Sequence, residues 1–262
     1  QYLSFGVAYR IGYGNLVREK GNPDDPEIVN IDAKGFDLGG VTVGLQYEPI
    51  PELQLGLVYR HKVKVDMTGD QGQISVGPTV IDGPVTSDLV YPSMFGFGLR
   101  ANIGQFSVVA DVEYEFNSQV DITVTKINNG AAWIKSEYAE DGIMPLLATY
   151  KYTDSLNVKG GLEYRVNDTW AVQAGYTWLQ SPANRLYPTP FGSPPSDNHI
   201  ASIGGSYTAE DWQMNFAYTY RFTDTEVTSE DVTGQGECNI CTEEGSYNLL
   251  LQGVHLDFST NF

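Results

Sequence analysis

Apolar and polar side chains alternate with a period of two along unusually long segments of this chain. Between residues 105 and 116, one set of alternating positions is apolar and the other is polar or acidic, apart from Val109. Because successive side chains of a β-strand point to opposite faces, this segment predicts a strand with one apolar and one acidic face. Residues 3–14 and 212–222 show the same pattern. Strands with two such different faces are typical of barrels and sandwiches.

Ten strands of this kind are predicted, and the connections between them are of two kinds. The strands are 3–14, 41–48, 53–66, 93–101, 105–116, 156–165, 169–178, 199–207, 212–222 and 247–262. The short connections are turns at 49–52, 102–104, 166–168 and 208–210. The long, polar connections are 17–35, 68–92, 126–154, 180–198 and 223–246. Because short and long connections alternate strictly, we predict an antiparallel meander with tight turns on one rim and loops on the other, as in outer-membrane barrels.

The distribution of residue types along the strands favours a membrane barrel. The apolar faces carry Tyr and Trp near the strand ends, as in an aromatic girdle, and the polar faces carry Gly and charges, which suits a lumen. The last predicted strand ends in Phe262, which looks like the terminal signal of outer-membrane proteins. We therefore predict a transmembrane antiparallel up-and-down β-barrel in the bacterial outer membrane, in contact with its lipid and lipopolysaccharide. A soluble barrel or sandwich with amphipathic strands is the alternative.

Composition and charge argue against several other classes of protein. No run of about 18 apolar residues is present, so no transmembrane helix is predicted. The formal net charge of -18 argues against nucleic acid, whose phosphates require a basic face. The histidines lie far apart and the acidic clusters lack the spacing of a metal-binding loop. We therefore predict no catalytic site, metal or cofactor, and we do not expect an enzyme.

The polar faces of three consecutive predicted strands carry charges of both signs. They are Arg60, Lys62 and Lys64 on one strand, Arg100 on the next, and Asp111, Glu113 and Glu115 on the third. The cations are candidates to hold the head group of a carboxylate ligand by charge-assisted hydrogen bonds. The alternative is a ladder of salt bridges that only braces the barrel.

Two of the long connections contain residues with a candidate role. The 126–154 segment is too apolar for a plain external loop, so Trp133 is a candidate for a hydrophobic capture surface at the mouth of the barrel. Packing against neighbouring loops is the alternative. Cys238 and Cys241 form a Cys-x-x-Cys pair without a second pair or a neighbouring His. We therefore expect a disulfide within this loop rather than a zinc or haem site.

Several stretches resemble the FadL/TodX family of outer-membrane transporters, in the same order along nearly the whole chain. They include LSFGVAYRIGYGNLVRE, GVTVGLQYEPIPELQLGLVYRHKVKVDMTGD and SLNVKGGLEYRVNDTWAVQAGYTWLQSP. The most specific pieces are Gly-Leu-x-Tyr-Arg at 56–60 and Trp-x-x-x-x-Gly-Tyr at 170–176. The resemblance implies a fourteen-stranded barrel, plugged by an N-terminal hatch, that moves hydrophobic molecules such as long-chain fatty acids or aromatic hydrocarbons inward. It also makes Arg18 a candidate head-group contact near the external mouth, with a solvated loop charge as the alternative.

The resemblance also bears on how much of a barrel this chain supplies. Residues 1–262 are expected to form one barrel domain that corresponds to the last ten strands, without the hatch and the first strands. Because strand edges cannot remain unpaired in lipid, a missing N-terminal segment or another chain is expected to complete the barrel. The alternative function is a structural or assembly barrel in a surface complex, with transport lost.

Overall fold

A computed structural model describes residues 2–20, 27–76, 79–120, 122–127, 146–149, 152–183, 195–232 and 244–260, and antiparallel β-strands make up most of these residues. The strands are β1 Leu3–Lys20, β2 Glu27–Ile50, β3 Leu53–Arg60, β4 Val63–Val76, β5 Thr79–Tyr91, β6 Met94–Ile103, β7 Phe106–Glu115, β8 Ile122–Ile127, β9 Leu146–Thr149, β10 Ser155–Arg165, β11 Trp170–Leu179, β12 Asn198–Thr208, β13 Trp212–Val227 and β14 Gly245–Thr260. A one-turn helix, α1, covers Ser229–Val232. No helix among the described residues is long and apolar enough to cross a membrane.

These strands follow one another as ten runs across a single sheet. Four runs are interrupted once each and consist of two strands: β3 with β4, β5 with β6, β7 with β8, and β9 with β10. Each run pairs with the next one along the chain, from β1 with β2 to β13 with β14. The predicted antiparallel meander of ten strands is therefore confirmed. In the described part of the chain β1 and β14 do not pair with each other, so the ten runs do not close on themselves.

Two of the predicted long loops are wrong, because strands occupy most of them. Residues 17–35 belong largely to β1 and β2, which stay paired from Leu3 with Tyr47 to Lys20 with Val29. Residues 68–92 form most of the β4–β5 hairpin, paired from Val63 with Tyr91 to Val76 with Thr79. The sequence pattern missed these extensions because alternation is imposed only where one face meets lipid. Beyond the bilayer, polar residues can occupy both faces while the backbone ladder continues.

The two faces of the sheet differ as the alternation predicts. One face, called the lipid face, exposes large apolar side chains such as Phe5 at 71 % and Val254 at 76 %. Near the short turns it carries a belt of ring contacts: Phe106–Tyr164, Trp170–Tyr207, Tyr207–Trp212 and Trp212–Phe258. A second belt lies toward the long-loop rim: Tyr13–Phe36, Tyr114–Phe116, Tyr176–His199 and His199–Phe222.

The separation of the two aromatic belts fits a membrane. Along β11, Trp170 of the first belt and Tyr176 of the second are six residues apart, which corresponds to about 20 Å of strand. Outer-membrane barrels carry an apolar band of about 25 Å between two aromatic girdles. The opposite face of the sheet is therefore the lumen face.

A line of ladder interruptions crosses the sheet above the second belt, and we call it the break line. It comprises residues 61–62, 92–93, 116–120 and 152–154. At these interruptions, side-chain oxygens accept hydrogen bonds from backbone N–H groups that have no partner in the ladder. The N–H of Lys62 donates to Ser93 Oγ at 3.0 Å, and that of Ser93 to Gln119 Oε1 at 3.0 Å. The N–H of Ser118 donates to Asp154 Oδ1 at 3.0 Å.

The break at 61–62 exchanges the two faces of its strand run. Arg60 lies on the lumen face, but beyond the break it is Val63, Val65 and Met67 that turn inward and become buried. They pack into an apolar cluster, defined by Ile31, Ala33, Val63, Val65, Met67 and Val85, on the lumen side of the long-loop half. Asp37 stabilises this exchange of faces, because its carboxylate accepts a hydrogen bond from the N–H of Lys64 at 2.9 Å.

Close backbone approach beside this cluster predicts a strong effect of one glycine substitution. A Cβ on Gly35 of β2 would lie 2.1 Å from the carbonyl oxygen of Asp66 on β4, whereas a Cβ on Gly6 would meet nothing within 4 Å. We expect Gly35→Ala to lower the free energy of unfolding by about 1–3 kcal/mol, because the backbone itself must move. Urea unfolding in detergent micelles measures the effect. Gly6→Ala is the matched control, with a change within about 0.5 kcal/mol, and equal stability of both variants would contradict the packing described.

The assignment of the lipid face predicts an asymmetry between neighbouring residues at mid-strand. Val108 and Phe216 are on the lipid face, and Asn215 is on the lumen face, where its amide nitrogen donates to Asp257 Oδ1 at 3.1 Å. Val108→Arg and Phe216→Arg should each destabilise the barrel in bilayers by about 2–4 kcal/mol, the cost of Arg at the bilayer midplane. Asn215→Arg should cost much less, because Asp257 can pair with it. Unfolding from lipid vesicles measures all three, and the reverse order would mean that the faces are exchanged.

Candidate functional site

Four glycines on neighbouring strands leave part of the lumen wall as bare backbone. Gly6 of β1 pairs with Gly44 of β2, and Gly56 of β3 pairs with Gly98 of β6. We call these four residues the glycine floor. They line a hollow of about 610 Å³ together with polar side chains of the lumen face, namely Ser4, Gln46, Gln54, Arg100 and Asp111. The hollow is large enough to admit a small organic molecule.

The space above three of these glycines is not filled by the described part of the chain. A Cβ added to Gly6 would meet nothing within 4 Å, and one added to Gly44 or Gly56 would meet only a carbonyl oxygen, at 3.6 and 3.9 Å. Their φ angles lie outside the positive region, which is occupied at Gly83, Gly104 and Gly245. Neither packing nor backbone conformation among the described residues therefore requires glycine at Gly6, Gly44 or Gly56. Bare backbone instead leaves room for something else to approach the wall.

Beside the hollow, several charges of the lumen face pair with one another. Lys159 Nζ lies 2.7 Å from Glu113 Oε2, and Arg165 Nε lies 4.0 Å from Glu163 Oε1. Glu163 also accepts a hydrogen bond from Gln173 at 2.7 Å. These contacts favour the bracing interpretation for this side of the barrel.

The structure divides the four predicted cations into two pairs. Arg60 and Arg100 are on the lumen face, as predicted, and Arg100 Nε donates to Ser107 Oγ at 3.2 Å. The predicted lumen placement of Lys64 is wrong, because the break at 61–62 turns this run over. Lys62 lies at the break itself, and its role stays a prediction. Lys64 Nζ instead pairs with Asp66 at 2.9 Å and Asp88 at 3.9 Å on the side away from the apolar cluster. The sequence prediction continued a strict alternation of faces through His61, so it could not reveal that the two faces are exchanged there.

Arg10 is a lumen-face cation that the sequence pattern did not single out. Its Nη2 donates to the carbonyl oxygen of His61 at 3.1 Å, which brings the guanidinium across β2 to the break line. Its Nε is buried and has no hydrogen-bond partner among the described residues. The only signal in the sequence was its place on the polar face of the first strand.

The remaining predicted site residues cannot be located by their side chains. The backbone of Arg18 pairs with that of Ile31 in the β1–β2 ladder, but its side chain lies outside the described part of the structure. Trp133, Cys238 and Cys241 also lie outside the described residues. Their roles stay predictions. Within the described ranges, no cluster of His, Cys, Asp and Glu has the arrangement of a metal site.

One ionisable group at the break line has a shifted pKa. The hydroxyl and N–H of Ser118 donate to Asp154, and they hold the pKa of this carboxyl below its usual value. A lowered pKa in the folded state means that the stabilising contact is present above the ordinary carboxyl pKa and is lost as pH falls through the lowered one. This anchor of the break line is therefore intact at neutral pH.

Comparisons with known proteins agree with this architecture. The structure is similar to that of a Pseudomonas aeruginosa FadL homologue, with a TM-score of 0.64, 14% identity, and coverage of 98% of this chain and 63% of that one. For the Pseudomonas putida toluene transporter TodX, the TM-score is 0.61 at 16% identity, with 100% and 66% covered. For the Ralstonia pickettii toluene transporter TbuX, it is 0.57 at 20% identity, with 89% and 50% covered. The chain thus spans half to two thirds of the length of these proteins.

The family is shown by a match in sequence as well as in fold. No curated protein matches the chain significantly. The model of the family described as outer membrane protein transport protein (OMPP1/FadL/TodX) matches residues 22–258, which is most of the chain. Together with its lipid-facing girdles and antiparallel meander, this match places the chain in the outer membrane and shows that it belongs to the OMPP1/FadL/TodX family.

Proposed function

We propose that the protein to which this chain belongs carries hydrophobic small molecules across the outer membrane through the lumen. The observation that carries the proposal is the glycine floor, which leaves the wall bare beside a hollow of about 610 Å³. A wall without side chains lets an apolar molecule slide past with few specific contacts to break. Membership of the transport family supports the same function.

The substrate class is long-chain fatty acids or aromatic hydrocarbons. TbuX and TodX, which share the fold, are described as toluene transporters. In this chain, Arg60 and Arg100 on the lumen face are proposed ligand contacts for an acid. Arg18 and Trp133 are proposed contacts nearer the mouth. Lys64, which points away from the lumen, is instead suited to the outer surface, where lipopolysaccharide phosphates are found. Lys62 remains a proposed ligand contact.

The barrel is proposed to be completed by protein outside this sequence. The free edges of β1 and β14 in the described sheet do not pair with each other. Unpaired N–H and C=O groups within the bilayer cost several kcal/mol each, so both edges need partner strands. An N-terminal segment or another chain can supply them.

Obstructing the glycine floor tests transport. Gly44→Trp would fill the hollow, whereas Gly160→Trp would place the same ring on the lipid face, where a Cβ on Gly160 meets nothing within 4 Å. In a Gram-negative host that lacks its own member of the family, uptake of a neutral aromatic hydrocarbon and of a long-chain fatty acid is measured with the full-length protein. We expect at least about a tenfold loss for Gly44→Trp, corresponding to about 1.4 kcal/mol, and little change for Gly160→Trp.

The same assay separates transport from the alternative function. If the unmodified protein raises uptake of neither compound although it is folded in the outer membrane, the barrel has a structural or assembly role and the proposal is wrong.

A further inference from the structure

A hollow of about 560 Å³ lies on the lipid face between the two aromatic belts, where β10 to β14 run side by side. One row of paired residues crosses it from strand to strand: Leu162, Ala174, Ile203, Tyr218 and Val254. Ala174 is the smallest member of the row, so the surface is low between its larger neighbours. The row crosses four inter-strand spacings, which corresponds to about 19 Å.

The lining of the hollow is apolar and uncovered. Ile203 is 65 % exposed, and no side chain of the described residues lies over it. The two hydroxyl groups at the margin already donate within the protein, Tyr164 to Gln105 Oε1 at 3.2 Å and Tyr218 to Gln252 Oε1 at 2.8 Å. The hollow therefore favours an apolar occupant, because a polar one would lose its hydrogen bonds to water without gaining others.

Toward the short-turn rim, a row of aromatic rings closes the hollow. The ring centroids are 4.8 Å apart between Trp170 and Tyr207, 5.0 Å apart between Tyr207 and Trp212, and 5.6 Å apart between Trp212 and Phe258. These four residues are on β11, β12, β13 and β14, so the row crosses the four strands without interruption. A chain-like molecule would have to separate the rings to enter from this side.

Toward the long-loop rim, the hollow is open. The next row of lipid-face residues on this side contains Gly160, Tyr176, Ala201 and Tyr220. The Tyr176 hydroxyl is 2.6 Å from His199 Nδ1, which holds its ring toward the long-loop rim. Ala201 leaves a gap between the two tyrosines, and a Cβ on Gly160 would meet nothing within 4 Å. Long loops are external in outer-membrane barrels, so this side faces the outer leaflet.

We propose that the hollow holds an acyl chain of lipopolysaccharide, inserted from the outer leaflet through the gap at Ala201. The hollow is continuous with the surface that contacts the bilayer, and its open side faces the leaflet that contains lipopolysaccharide. Since lipid tails surround the whole lipid face, the advantage of this position is closer packing. A chain in the hollow has protein atoms within van der Waals contact on several sides.

Retention of lipid A, the acylated part of lipopolysaccharide, by the purified full-length protein tests the proposal. The protein is extracted in a mild detergent, lipid A and a phospholipid are added in equal amounts, and bound lipids are counted by native mass spectrometry. Ala174→Trp fills the hollow and Ala201→Trp closes its entrance. Each should lower the fraction of protein that carries lipid A about tenfold.

Ala110→Trp is the matched control and should retain lipid A. Ala110 is on the lipid face of β7, where it pairs with Gly160, and it lies outside the hollow. All three variants add the same apolar ring to the lipid face, and circular dichroism checks that each is folded. Uptake of hydrophobic compounds should be the same in all three, because the hollow and the lumen are on opposite faces of the sheet. The result is therefore independent of the proposed transport function.

Four outcomes would overturn the proposal. The unmodified protein could bind no lipid A, or Ala110→Trp could lose lipid A as fully as the other two variants, which would mean unspecific association with the lipid face. Retention of the phospholipid in place of lipid A would mean that the occupant does not come from the outer leaflet. A dimer of the unmodified protein that Ala174→Trp abolishes would mean that a second copy covers the hollow.

Discussion

Backbone hydrogen bonding in lipid is the constraint on which this structure depends. Strands that cross the bilayer keep an uninterrupted ladder with their neighbours, because no water can satisfy a free N–H or C=O there. Above the second aromatic belt that requirement ends, and the ladder is broken at the four positions of the break line. Ser93, Gln119, Asp154 and Asp37 supply side-chain partners at the gaps. The strand run that contains residues 61–62 can therefore exchange its two faces at this break. This reversal places apolar residues on the lumen side of the long-loop half.

The consequence is a lumen with three levels of different chemistry. The apolar cluster is nearest the long-loop rim, Arg10 reaches the break line through its hydrogen bond to the carbonyl oxygen of His61, and the glycine floor lies below. Each level follows from a local feature of sequence: Val-x-Val-x-Met at 63–67 after the break, Arg at 10, and Gly at equivalent heights of four strands.

Much of this architecture could be predicted from the sequence, because lipid imposes strict alternation on the membrane-spanning strands. All ten strand runs were predicted, and Arg60 and Arg100 were placed on the correct face. The pattern failed where that constraint ends. Residues 17–35 and 68–92 looked like loops because polar residues occupy both faces of extended hairpins. Lys64 was assigned to the lumen because a two-residue break leaves no trace in an alternating pattern. The contact of Arg10 with the His61 carbonyl could not be predicted, because the two residues are 51 positions apart in the sequence.

The reversal of faces at the break line is the central claim, and a nitroxide scan of residues 55–67 tests it most directly. Collision with oxygen reports exposure to lipid, and collision with a water-soluble nickel chelate reports exposure to water. We predict high oxygen accessibility at 55, 57 and 59, protection from both reagents at 63, 65 and 67, and high chelate accessibility at 64 and 66. A single uninterrupted alternation, in which 62 and 64 behave like 60 while 63 and 65 behave like 57 and 59, would contradict the account.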